Sequence, residues 1–95
     1  MKTGIELIAI ERHEQIEKHG RTIEADVKQN YEGELSYFAG LLCHINANES
    51  DTVMDFIPPK WNKYLCKKMI NKPYKERLII AGALIAAEID RIQSI

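Results

Sequence analysis

Apolar residues recur at helical spacing through the final part of the chain. Between residues 75 and 92 they are too numerous for a helix lying singly on a protein surface, and small side chains fill the middle of the segment. Pro73 stands where this segment begins, and proline is favoured there because first-turn N–H groups have no partner within a helix. The pattern predicts a long helix that is packed on several sides.

Two earlier segments also have a helical period. In the first, Thr3 and Glu6 have the spacing of a capping box, apolar residues follow on one face, and Gly20 ends the segment as a left-handed cap. The second runs from about residue 31 to residue 45 and is expected to begin at a cap formed by Asn30. Both segments are predicted to be α-helices of the main bundle.

The remaining segments are shorter and more polar. Residues 21–30 form a polar connector with a short turn capped by Thr22, and residues 46–60 are the least regular stretch. A lysine-rich helix follows Trp61 to about Ile70. The layout predicts a single all-α domain over residues 1–95, a small helical bundle of three to four main helices. The expected core includes Ile8, Ile16, Leu35, Phe38, Leu42, Leu78, Ala81, Leu84, Ile85 and Ile89.

The net charge and the length of the chain make some functions less expected than others. The chain has 95 residues, 45% of them hydrophobic and 28% charged, with a formal net charge of −1. Without a net positive field, binding to a nucleic-acid backbone is not expected as the main activity. A domain of this length has a thin core, so sharing a core between two copies is favoured.

Cysteine content and hydropathy indicate the cellular compartment in which the protein is expected. Cys43 and Cys66 are too few for a disulfide framework and are expected to be reduced and buried. The N-terminal residues carry no secretory pattern. The longest apolar run, residues 78–87, is far shorter than the about 20 residues that span a bilayer. We expect a cytoplasmic protein with no membrane partner.

The candidate chemistry of the first helix rests on carboxylates. Glu11, Glu14 and Glu17 stand at successive i,i+3 positions, and carboxylate oxygens are the ligands that Mg²⁺ prefers. The alternative is a solvated face, which also holds Arg12 and Lys18.

Two further residues have alternative interpretations. Glu34 opens the second helix, where it is either another ligand or a carboxylate favoured by the helix dipole. Trp61 is either a ligand-stacking ring at the mouth of a cleft or the anchor that pins a long loop to the core. The three histidines form no metal-binding pattern, and the sequence contains no complete catalytic motif.

Three segments of the chain carry a family resemblance. Residues 11–22, ERHEQIEKHGRT, are similar to an opening pattern E-R-x-x-Q-x-x-K-W-G, and residues 33–35, GEL, are similar to the start of a following helix. Residues 76–89, ERLIIAGALIAAEI, are similar to a closing apolar helix. Together they resemble the MazG-like, all-α nucleotide pyrophosphohydrolase group, most closely its short proteins from phages, prophages and gut bacteria. The likeness covers most of the chain.

The resemblance implies an enzyme that cleaves a nucleoside triphosphate between its α- and β-phosphates, with Mg²⁺ as cofactor. The group holds Mg²⁺ with an E-x-x-E on one helix and an E-x-x-D on the next. Here Glu34 matches one acid of the first pair, but Tyr37 stands three residues on. Arg77 and Ile80 fall where the second pair is expected. The chain therefore departs from the group at the residues that hold the metal.

Two functional hypotheses follow. In the first, Glu11, Glu14 and Glu34 substitute for the missing acids and hold Mg²⁺ in a nucleotide-handling protein. In the second, the chain is a non-catalytic helical interaction module that meets a partner protein through the last helix. Acids that converge on one point favour the first, and scattered, salt-bridged acids favour the second.

A homodimer is expected under either hypothesis. The last helix carries Leu84, Ile85, Ile89 and Ile92 beside its small residues, more apolar surface than two other substantial helices can cover. A two-fold axis is the commonest way to cover such a surface. The alternative is a monomer in which loop 46–60 and Trp61 fold over the exposed side.

Overall fold

The computed structural model describes residues 1–20, 22–49 and 52–94. These residues form five α-helices and no strand, which confirms the all-α prediction. The helices are α1 (Gly4–His19), α2 (Ile23–Gln29), α3 (Glu34–Leu42), α4 (Lys63–Ile70) and α5 (Tyr74–Gln93). Two 3-10 turns, Ala47–Glu49 and Val53–Phe56, lie in the stretch predicted to be irregular.

Both ends of α1 form as predicted. The Thr3 hydroxyl accepts the Glu6 N–H at 3.2 Å, and the Glu6 carboxylate accepts the Thr3 N–H at 2.9 Å. Gly20 ends the helix in the left-handed conformation, at φ 64°. The capping box and the glycine are local signals, so the sequence alone suffices to place this helix.

The boundary between α2 and α3 differs from the prediction. The turn expected after Thr22 is a full helix, whose first turn is capped by the Thr22 hydroxyl on the Ala25 N–H at 3.2 Å. Asn30 ends α2 rather than beginning α3, so the predicted Asn30 cap is wrong. The chain then turns at Gly33, which has φ 83° and directly precedes α3. Only glycine adopts that conformation without strain.

The core lies where α5 packs against α1, α2 and α3. Leu35, Phe38, Leu42, Ala81 and Leu84 are buried there as predicted. The other predicted core residues are not buried within one chain: Ile8 is only half-buried, and the exposed ones are Ile16, Leu78, Ile85 and Ile89.

Two of these differences have local causes. α1 buries Arg12 and Gln15, so neighbouring Ile16 is turned outward. Cys43 is exposed, contrary to expectation, because it directly follows α3, beyond the buried face of that helix, while Cys66 is buried as expected. No helix among the described residues is long and apolar enough to cross a membrane.

Arg77 joins the start of α5 to the end of α3. Its side chain is 1% exposed, and its guanidinium donates hydrogen bonds only to main-chain carbonyls among the bonds described. The accepting oxygens belong to Leu42, His44, Ile45 and Lys72. A positive charge is favoured beside the carbonyls of a helix C-terminus, so Arg77 holds α3 against α5.

The close approach of α1 and α5 occurs at Gly82. A Cβ added there would lie 2.5 Å from Ile8 Cδ1 and 2.8 Å from Cγ1, too close for the two to coexist unmoved. A Cβ added at Gly40, by contrast, would meet nothing within 4 Å. The close helix–helix contact therefore lies at Gly82 and not at Gly40.

Replacing these two glycines by alanine is expected to change stability in opposite directions. Gly40→Ala should raise the free energy of unfolding by about 0.5–1 kcal/mol, because alanine favours a helix. Gly82→Ala gains the same propensity but overpacks Ile8, at a cost of about 1–3 kcal/mol, so its net effect should be destabilising. Urea unfolding of both variants measures this. Equal stabilisation by both would contradict the α1–α5 contact.

Candidate functional site

A groove runs along α4, with α2 at one end and with α1 and α5 at the other. It consists of two adjoining clefts, of about 490 Å³ and about 590 Å³. The clefts share His19, Leu65 and Met69 in their walls, so they lie side by side. We refer to the smaller cleft as the tryptophan half and to the larger as the carboxylate half.

The carboxylate half brings acidic and basic side chains together. Glu11 and Glu14 lie one helical turn apart on α1, so both reach the same cleft. Lys68 and Lys72, on successive turns of α4 and just beyond it, line the same cleft, as does Glu76 of α5. The cleft therefore offers oxygen ligands to a cation and ammonium groups to an anion.

The acids of this half are held only loosely by their neighbours. Gln15 Nε2 donates to Glu11 Oε2 at 3.4 Å, and Lys18 Nζ lies 3.8 Å from Glu14 Oε1. Lys72 Nζ lies 3.9 Å from Glu76 Oε2. Gln15 is buried but its bond to Glu11 is long, and the two lysine–carboxylate pairs are long and exposed to solvent, so these contacts contribute little free energy. The same carboxylates therefore remain able to bind a ligand.

The tryptophan half is built around Trp61, which is fixed by a chain of hydrogen bonds. Trp61 Nε1 donates to Asn30 Oδ1 at 3.0 Å, and Asn30 Nδ2 donates to Asp26 Oδ1 at 2.8 Å. The Trp61 ring also packs on Phe38, with ring centroids 5.1 Å apart. Trp61 is therefore anchored to the core, and it also lines a cleft; that a ligand stacks on its ring stays a prediction.

Glu34 lies apart from the other two predicted metal ligands. It does not line the groove, and its Oε1 accepts the Glu32 N–H at 2.7 Å. Its charge acts on Arg91, whose pKa is raised first by the hydrogen bonds that Arg91 donates to Glu88, at 2.6 and 3.1 Å, and then by the charges of Glu88, Glu34 and Asp26. The structure thus brings Glu11 and Glu14 together and leaves Glu34 outside the groove, where its charge acts on Arg91.

The side chains of the carboxylate half are better suited to a Mg²⁺ ion that is already bound to a phosphate ligand than to a Mg²⁺ ion held by the protein alone. Within residues 1–20, 22–49 and 52–94, no three histidine, cysteine or acidic side chains are grouped so as to hold a metal. Mg²⁺, however, is commonly bound by one or two carboxylates together with substrate phosphates. Glu11 and Glu14 supply two carboxylates of that kind, and Lys68 and Lys72 would lie beside the phosphates.

Several residues of the groove were not predicted from the sequence. No functional role was predicted for Lys68 and Lys72, in and just after the lysine-rich helix, and Asp26 was placed in a polar connector. The one signal for Asp26 and Asn30 is their i,i+4 spacing, which allows two side chains on a helix to bond. Their link to Trp61 spans 31 residues and has no local signature.

Comparison with protein-family models, with curated proteins and with solved structures found no match to this chain.

Proposed function

We propose that this protein binds a nucleoside triphosphate, together with its Mg²⁺ ion, in the groove along α4. The observation that carries the proposal is that the two halves adjoin: a fixed tryptophan ring lies at one end of the groove, and paired carboxylates with two lysines lie at the other. A base stacks on an aromatic ring, whereas a triphosphate needs cations around it. The MazG-like resemblance of the sequence supports the same class of ligand.

The electrostatics of the carboxylate half imply that binding depends on Mg²⁺. Glu11 and Glu14 repel a bare triphosphate, because like charges at short range disfavour each other. A Mg²⁺ ion bound to the phosphates reverses that interaction, and Lys68 and Lys72 offset further negative charge. Glu34, the third predicted ligand, has no part in this arrangement.

We further propose that the protein is cytoplasmic, as expected from the sequence, and that it binds nucleotides without hydrolysing them efficiently. Two carboxylates in the groove are fewer than the four of the MazG-like pattern, and hydrolysis needs ligands that both hold the metal ions and activate water.

A screen of nucleoside triphosphates with pyrophosphate detection separates binding from hydrolysis. We expect Mg²⁺-dependent binding of at least one nucleotide and no multiple-turnover release of pyrophosphate. Sustained release that Glu11→Gln abolishes would instead identify an active pyrophosphohydrolase. The matched control is Glu17→Gln, a change on the same helix at an exposed acid that pairs with His13 at 3.1 Å.

A second class of function, a helical interaction module, is supported by a separate observation. α5 leaves large apolar side chains exposed within one chain, and contiguous apolar surface commonly marks a site of protein association. We propose that this surface makes the protein a homodimer, as predicted from the sequence. Self-association and nucleotide binding use different sides of the molecule and are compatible.

A further inference from the structure

Two buried oxygen atoms on the wall of the groove have no hydrogen-bond partner. They are Oδ2 of Asp26 and Oε1 of Gln15, which belong to residues that are 1% and 4% exposed. Asp26 lines the tryptophan half, and Gln15 lines the carboxylate half. Among the described residues, no other buried side-chain oxygen lacks a partner. The unpaired acceptors of the fold therefore lie together along one groove.

The free oxygen of Asp26 needs a donor that the described residues do not supply. Oδ1 accepts a side-chain N–H of Asn30 at 2.8 Å, and Oδ2 is left without a bond. The charge of Asp26 acts on Arg91, but the hydrogen bonds described for that guanidinium go to Glu88. A buried acceptor without a partner is costly, because bulk water does not cover it. A ligand that brings N–H groups into the tryptophan half would remove that cost.

The acceptor chemistry of a carboxylate distinguishes the nucleobases. An ionised carboxylate only accepts hydrogen bonds, so a base must present N–H groups to it. Guanine presents two neighbouring donors on one edge, its N1–H and its 2-amino group. Adenine and cytosine present one amino group beside a bare ring nitrogen, and uracil and thymine present one N–H between two carbonyls. Among these bases, guanine alone offers a donor to each oxygen of a carboxylate.

We infer that the tryptophan half is specific for guanine and that Asp26 selects this base; the inference rests on the proposed nucleotide binding. The guanine ring stacks on Trp61, and its N1–H and 2-amino groups donate to Asp26. Oδ2 accepts one of these bonds, and Oδ1 accepts the other beside its bond from Asn30, because each carboxylate oxygen takes two. Lys60 is exposed and lines the same cleft, where its ammonium group donates to the 6-carbonyl oxygen of the base.

One network of hydrogen bonds holds both groups that contact the base. The Asn30 side chain donates to Asp26 and accepts the Trp61 Nε1–H at 3.0 Å. The carboxylate that selects the base and the ring on which it stacks are therefore fixed relative to each other before a ligand arrives. A site that is organised in advance loses less conformational freedom on binding, and it rejects a base that does not match its acceptors.

Isothermal titration calorimetry of the full chain in Mg²⁺ measures the specificity. We expect GTP to bind about 100-fold more tightly than ATP, because adenine leaves buried acceptors unpaired. Inosine triphosphate keeps the N1–H but lacks the 2-amino group, and it should bind about 10-fold more weakly than GTP. Equal affinities for all three would overturn the specificity and leave nucleotide binding in place. Failure of every nucleoside triphosphate to bind would overturn the proposed function itself.

Asp26→Asn tests the residue directly. The change keeps the shape of the side chain and an oxygen for the Asn30 bond, but it puts an amide donor in place of the free oxygen. GTP should bind about 10-fold more weakly. Xanthosine triphosphate, which has a carbonyl where guanine has its 2-amino group, should bind more tightly than it binds to the wild type.

The matched control is Asp55→Asn, at an exposed aspartate outside the groove, which should bind GTP as the wild type does. Unchanged affinities of Asp26→Asn for GTP and xanthosine triphosphate, with helical circular dichroism retained, would overturn the role of Asp26. If Asp26→Asn does not fold, the ranking of nucleotides by the wild-type protein still decides the specificity.

Discussion

Replacing Arg77 by methionine is expected to lower the free energy of unfolding by about 3–5 kcal/mol. Methionine keeps most of the apolar stem but removes every donor from a site that is 1% exposed. The carbonyls of Leu42, His44 and Ile45 would lose their bonds to the guanidinium, and a buried acceptor without a partner costs about 1–3 kcal/mol. In a domain of this size the total is a large fraction of the stability.

Thermal and urea unfolding of Arg77→Met measure the effect. A loss of this size should lower the melting temperature by about 15 °C or more. Lys75→Met is the matched control, because it removes an exposed charge from the same helix. Equal stability of the two variants would contradict the role given to Arg77.

The role of Arg77 is incompatible with the acid that a MazG-like resemblance would lead one to expect at this position. An acid there would place a negative charge against the carbonyl oxygens at the end of α3, which the structure fills with a guanidinium. The position that the family resemblance assigns to a metal ligand is used here to hold two helices together. An Arg77→Glu change is therefore not expected to restore a metal site.

Removing the carboxylates of the groove is expected to have the second large effect. Glu11→Gln and Glu14→Gln should each weaken Mg²⁺-dependent nucleotide binding by about 10-fold or more, because charge-assisted contacts contribute about 1.5–3 kcal/mol. Neither side chain is in the core, so the free energy of unfolding should stay close to that of the wild type.

The control variants show whether binding is weakened by the loss of a carboxylate in the groove or by the loss of any negative charge. Glu17→Gln and Glu34→Gln also remove one negative charge each, but neither residue lines the groove. Both should bind nucleotide as the wild type does. Equal weakening by Glu34→Gln would show that the sequence-based ligand set, rather than the groove, describes the site.

Local signals were sufficient to predict most of the helices. The Thr3 capping box, Gly20 and the start of α5 after Pro73 depend on residues within a turn of each other, and all were predicted correctly. Asn30 has the same chemistry as a cap, yet its side chain binds Trp61, 31 residues away. Whether such a residue caps a helix or binds a distant side chain depends on its tertiary partner, and the local sequence does not show that partner.

In the candidate site, too, the contacts between residues distant in sequence could not be predicted. Glu11 and Glu14 were predicted to act together because they share one helix face, and they do share a cleft. Glu34 was grouped with them by chemistry alone, whereas in the fold its charge acts on Arg91, 57 residues later. Lys68 on α4 and Lys72 just beyond it look like solvated charges until α1 and α5 are placed beside them.

The most direct test of the proposed groove is a titration of Trp61 fluorescence with nucleoside triphosphates in the presence of Mg²⁺. Trp61 is the only tryptophan of the chain, so its emission reports on the tryptophan half without labels. We predict a saturable change in emission that requires Mg²⁺ and that inorganic triphosphate, which lacks a base to stack, does not produce. Emission that stays unchanged with every common nucleoside triphosphate up to millimolar concentration would contradict nucleotide binding in this groove.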